Sequence, residues 1–302
     1  MIYVVHHAAT VAIAAGAAWA LTRGRWQVRA PRLALLLWHA TAVSAVTGAV
    51  GLLLSAGLEP YSLGIAPALG ALATGRTPPL TGVHVSAVAA GLLLAAAAVG
   101  AQTHSSWQLW RQRSRHRLLL RLVGRPDPRF QSPHGRALLL DHPAAAAYYV
   151  PGPAGCVVVS TGAVEALTEH ELAAVLAHEH AHARGHHHLV LAPFHAMRRV
   201  LPIRPVLRAA AAVELLVEMC ADDRAARRHG PAPLTAALRR FDELGARSAP
   251  AGTIAAADTA IALRIARLDS TTPPIRRSIR WAIALSALAV ATTPASLYVL
   301  PI

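Results

Sequence analysis

The chain has 302 residues, 54% of them hydrophobic, and a mean hydropathy of +0.40, too apolar for an ordinary soluble domain and suited to a protein partly in lipid. Its formal charge of +14 comes from 29 arginines, because lysine does not occur, yet aromatic residues make up only 5%, so the stacking side chains of a nucleic-acid groove are scarce and direct nucleic-acid binding is not expected. Cys156 and Cys220 stand far apart and outside any C-x-x-C pair, which argues against a disulfide framework and for a reduced compartment.

A helix needs about 20 mainly apolar residues to cross the hydrocarbon core, and four stretches qualify: 2–21, 33–58, 80–101 and 281–300. The first opens M-I-Y-V-V-H-H, without the positive start of a signal peptide, and reads as a retained anchor. The linker between the first two stretches carries Arg23, Arg25, Arg29 and Arg32, whereas the next carries only Glu59 and Arg76. Positive charge collects on the cytoplasmic side, so the first linker belongs there, the third span returns to the cytoplasm, and both termini lie outside. Arg111, Arg113, Arg115 and Arg117, just after the third span, agree with that placement. His6, His7, His39 and His84 fall in the spans, where an ionisable group is a functional suspect.

The expected organisation is therefore three transmembrane helices in 1–101, a cytoplasmic domain in 102–279, and a fourth helix with a short tail in 280–302. The domain opens with a basic helical extension of the third span to about Val123. After the breaker G-R-P-D-P, strand-like runs follow at 137–140 and 156–160, with 144–150 as a further extended stretch or a plain loop. Thr168-Glu169-His170-Glu171 has the T-x-x-E form of a capping box, predicting a helix from about Glu169 to near Gly185. A second helix is expected from about Pro205 to His229, stopped by Gly230. The segment 189–203, apolar but broken by Arg198, Arg199 and Pro202, reads as a surface-lying hairpin.

Residues four apart on a helix project within about 40° of each other and lie about 6 Å apart along it. His178 and His182 can thus grip one metal ion, and Glu179 can reach water beside it, which is the H-E-x-x-H arrangement of a zinc peptidase with a carboxylate general base. The downstream helix offers Glu218 as a third ligand and, one turn later, Asp222 to accept the N–H of a ligand histidine. Glu214 is an alternative third ligand. His180 should face away from His178, Cys220 should be packed, Arg224 reads as a surface residue more readily than as a substrate clamp, and the run His186-His187-His188 reads as a solvated turn rather than a second metal site. Three protein ligands leave a position for water, whose proton Glu179 would take and pass to the leaving amine. A scaffold holding one zinc ion for structure alone would not need Glu179.

The run V-V-V-S-T-G-A-V-E-A-L-T-E-H-E-L-A-A-V-L-A-H-E-H-A-H-A-R-G-H-H-H from Val157 to His188, with E-M-C-A-D downstream, resembles the core of gluzincin membrane peptidases, both the BlaR/MecR antibiotic-sensor group and the HtpX and CAAX prenyl protease group. The topology resembles the first group, in short form without its penicillin-binding sensor domain. That resemblance implies a polytopic α-helical membrane protein with a mainly helical α+β zincin-like domain in the cytoplasmic loop. It implies one zinc ion held by His178, His182 and Glu218, catalysis by Glu179, and cleavage of a cytoplasmic BlaI/MecI-like repressor in signal transduction. HtpX-like quality control of membrane proteins is the alternative.

Overall fold

The computed structural model describes residues 1–76, 78–127, 136–152, 155–248, 255–271, 273 and 275–299. Its helices are α1 (Ile2–Arg23), α2 (Pro31–Gly57), α3 (Ile65–Ala73), α4 (Gly82–Val123), α5 (Thr161–Ala166), α6 (Glu169–Arg184), α7 (His187–Val200), α8 (Arg204–His229), α9 (Pro231–Ser248), α10 (Ala255–Leu268) and α11 (Arg277–Val299). The strands are β1 (Arg125–Pro126), β2 (Arg136–Leu140), β3 (Ala147–Val150) and β4 (Cys156–Ser160). The chain forms two compact units, one of 1–103, 197–209 and 274–302, the other of 104–196 and 210–273.

In the first unit α2 packs against α1 and α11. Small residues permit the approach of α1: a Cβ on Gly51 would lie 2.6 Å from the His7 ring, and one on Gly48 would lie 3.1 Å from Thr10. The Tyr298 hydroxyl donates to the Thr47 carbonyl, and a His6 ring nitrogen lies 3.0 Å from the Thr293 carbonyl. The histidines in the apolar helices thus meet backbone or ring neighbours, with His39 Nδ1 against the Leu35 carbonyl of its own helix and His84 at Thr81. Among the described residues, three helices, α1, α2 and α4, are long and apolar enough to cross a membrane. Leu93 and Val99 of α4 are more than 60% exposed, an apolar surface that suits lipid and not water. The stretch expected as a fourth span is helical, as α11, but α11 is not one of these three, and the last expected residue, Leu300, lies outside the described residues. The linker before α4 contains α3, which the sequence reading did not foresee.

The second unit is built on a sheet of order β1-β2-β4-β3, in which β2 and β4 are parallel and both outer pairs antiparallel. Every residue of β4 is buried, which explains its unbroken valine run: Val157 and Val159 face a core with Leu172, Val175 and Leu234, while Val158 and Cys156 join Leu120 and Leu138 on the other face. β3 is left at the edge.

α6 begins where the capping box requires. The Thr168 hydroxyl accepts from the Glu171 N–H, and the Glu171 carboxylate accepts from the Thr168 N–H at 2.8 Å. Burial pushes the Glu171 carboxyl up, but the Thr168 bonds and the Arg240 guanidinium at 3.2 Å outweigh it and hold it below the usual carboxylate range. A depressed folded value means stabilisation that is complete above about pH 4.3, the ordinary glutamate value, and lost as pH falls through the folded value. Glu171→Gln keeps the cap but not the charge. With Arg240 half exposed, the expected cost is about 0.5 kcal/mol at neutral pH, vanishing in acid, as denaturation midpoints at two pH values would show.

The segment 189–203 corrects an expectation. Most of it is not a hairpin but helix α7, which continues through Pro193 and buries Ala192, Phe194 and Ala196. The run His186–His188 is a solvated turn only at His186, which is exposed; His187 opens α7 and is buried.

Candidate metal centre

One turn apart on α6, His178 and His182 bring their Nε2 atoms to 3.1 Å. From α8, Glu218 places one carboxylate oxygen 3.3 Å from His178 Nε2 and the other 3.5 Å from His182 Nε2. Donor atoms about 2.0–2.1 Å from one ion at tetrahedral angles stand about 3.4 Å apart. With one atom from each side chain, all within 4.8 Å of one another, the three are close enough to share a single zinc ion. Two imidazoles and a carboxylate are also the donor set that zinc takes in hydrolytic sites, with the fourth position open.

The surrounding residues hold this set in place. His178 Nδ1 lies 2.9 Å from Oδ1 of the fully buried Asp222, the contact expected from the spacing on α8. Asp222 is gripped in turn by Arg264 of α10, whose Nε and Nη2 donate to its two oxygens at 2.9 and 2.7 Å, while Nη1 stands 3.2 Å from Glu218. The next acid along, Asp223, takes Arg267 at 2.7 Å. Arg264 escaped the sequence reading. Its only signal was that two adjacent acids, Asp222 and Asp223, demand cationic partners, and two arginines spaced i, i+3 on α10 supply them.

Glu179 points toward β3, where its Oε2 accepts the backbone N–H of Tyr149 at 2.8 Å. Burial and the nearby Glu218 charge raise its carboxyl to about 7, against the pull of His178 and the Tyr149 N–H, which places it where a group can both take and give a proton near neutrality. Burial would raise Glu218 as well, but the bond and charge of His178 and the charge of Arg264 prevail and hold it at about 2. Burial opposes charge on His178, yet the Asp222 and Glu218 contacts lift it to about 10; His182 is lowered to about 4, chiefly by burial. A metal at Nε2 of His178 would displace a proton held by those acids.

Glu179, His182 and Glu218 line a cleft of about 490 Å³, with Tyr149, Arg113 and His116 also on its wall. Other residues singled out from the sequence lie elsewhere. Glu214 meets His195 at 3.1 Å, so Glu218 is the carboxylate that joins the histidines. Cys220 is buried, His180 lines a separate basic pocket, and Arg224 donates to the Ala181 carbonyl near the end of α6.

Residues 108–264, more than half of the chain, match the model of Peptidase family M48. The chain belongs to Peptidase family M48. The matched region runs from the basic end of α4 to Arg264 and so takes in His178, Glu179, His182, Glu218, Asp222 and Arg264. No curated protein and no solved structure matches the chain. M48 membership makes this a metallopeptidase domain, and its apolar helices make the peptidase membrane-associated.

Proposed function

We propose that this M48 peptidase is a four-span zinc metalloendopeptidase whose catalytic domain faces the cytoplasm and cuts a protein there. The observation that carries the reading is the cluster of donor atoms on His178, His182 and Glu218, with Glu179 half-buried beside it in the same cleft. Bound zinc would supply the Lewis acid that polarises a peptide carbonyl and acidifies water. Glu179 takes the proton from the attacking water and delivers it to the leaving amine. Asp222 fixes His178 so that its Nε2 lone pair is offered to the metal, and Arg264 fixes Asp222. The free edge of β3 beside the cleft can take an extended substrate as an added strand, which would take over the Tyr149 N–H now bonded to Glu179.

The resemblance to BlaR/MecR proteins and the arginines before α2 and along α4 support a cytoplasmic BlaI/MecI-like repressor as substrate, with both termini outside. HtpX-like quality control is the second reading, favoured by helices that would keep the protease among membrane proteins. Comparing cells that carry the wild type with cells that carry Glu179→Gln decides between them. One stabilised soluble DNA-binding repressor is expected on the first reading, and a set of stabilised membrane proteins on the second. Identical proteomes in the two strains would contradict both.

A further inference from the structure

His187, which reads from the sequence as part of a solvated turn, is 5% exposed and sets its ring nearly perpendicular to that of His182, with the centroids 4.7 Å apart. Its Nδ1 lies 2.9 Å from His182 Nδ1. A histidine that offers Nε2 to a metal carries its proton on Nδ1 and needs an acceptor there to fix the tautomer and the ring angle. Asp222 meets that need for His178. For His182, the group standing at Nδ1 is His187.

The turn between α6 and α7 is shaped to put it there. His186 has φ 47°, a left-handed conformation that is strained for a residue with a side chain. This reversal folds the next residue back over the end of α6. A Cβ on Gly185 would lie 2.3 Å from His187 Nε2, so the position must be glycine for the ring to lie where it does. Two local departures, a left-handed histidine and a bare glycine, therefore serve the placement of one imidazole.

We infer that His187 is a positioning residue for His182, accepting its Nδ1–H through Nδ1 while keeping its own proton on Nε2, and that it thereby sets the affinity of the centre for zinc. The inference rests on the zinc reading above. It is tested with the full-length protein in detergent, stripped of metal and titrated with zinc against a chromophoric chelator. His187→Ala should weaken zinc binding about 10- to 100-fold, the range for losing such a partner. His187→Asn, whose side-chain oxygen can occupy the place of Nδ1, should recover to within a few-fold of the wild type. His187→Leu, which fills the space without an acceptor, should stay weak. Recovery by Leu but not by Asn would show that the ring only packs and would overturn the inference, as would His187→Ala binding zinc like the wild type. A wild-type protein that binds no zinc would overturn the zinc reading itself, and this inference with it.

Discussion

Glu179→Gln is expected to slow peptide hydrolysis by the purified protein about 100- to 10,000-fold while leaving its zinc content unchanged. Glutamine has nearly the same shape as glutamate, and its side-chain oxygen can still accept the Tyr149 N–H, so the packing around β3 and α6 survives. The donor atoms on His178, His182 and Glu218 are untouched. What disappears is a carboxylate able to take a proton from water. Initial rates on casein or a quenched fluorescent peptide, measured beside metal content, check both halves. Wild-type rates from the glutamine variant would remove Glu179 from the chemistry, and lost metal would recast it as part of the binding site.

Arg264→Leu is expected to be the most damaging single change outside the metal donors. Asp222 is fully buried, and the arginine supplies two short hydrogen bonds to it and a contact to Glu218. Removing one partner of a buried ion pair leaves an uncompensated charge and costs about 3–5 kcal/mol. Arg264→Lys restores the charge but not the planar fork, so it should recover only part of the loss. Pairing Arg264→Leu with Asp222→Asn removes the stranded charge as well, and should regain stability without regaining zinc affinity, because His178 then lacks its carboxylate. Thermal midpoints and zinc titrations of the three proteins measure this. If Arg264→Leu melts and binds zinc like the wild type, the pair has no role in holding the centre.

The parts of this site that the sequence displayed are those encoded by short spacing. His178, Glu179 and His182 fall on one helix, and the T-x-x-E box at Thr168 marks where that helix starts. Glu218 and Asp222 are again one turn apart, on a helix that is mostly alanine, leucine and arginine outside this cluster, so the acids stood out. The strand Cys156–Ser160 appeared through its valines, since both faces of β4 are covered and no alternation is required. Arg264 and His187 depend on tertiary contact instead. Arg264 lies 42 residues beyond Asp222, on a helix with nothing in its own pattern to mark a site. His187 was hidden by a turn whose geometry rests on a left-handed His186, a conformation that histidine adopts more readily than most residues yet still uncommonly. The segment 189–203 misled because Arg198, Arg199 and Pro202 look like breakers, whereas α7 runs through both arginines to Val200, stops before Pro202 and also accommodates Pro193. A lone proline costs a helix one hydrogen bond and some strain, which the burial of Ala192, Phe194 and Ala196 offsets.

The central claim is that His178, His182 and Glu218 hold one zinc ion. Zinc K-edge X-ray absorption on the full-length protein in detergent tests it most directly, because it counts the ion and reports the atoms bound to it. The expected result is one zinc per chain with only nitrogen and oxygen neighbours at about 2.0–2.2 Å, two of them imidazole. Absence of zinc, or a sulfur neighbour at about 2.3 Å, would contradict it.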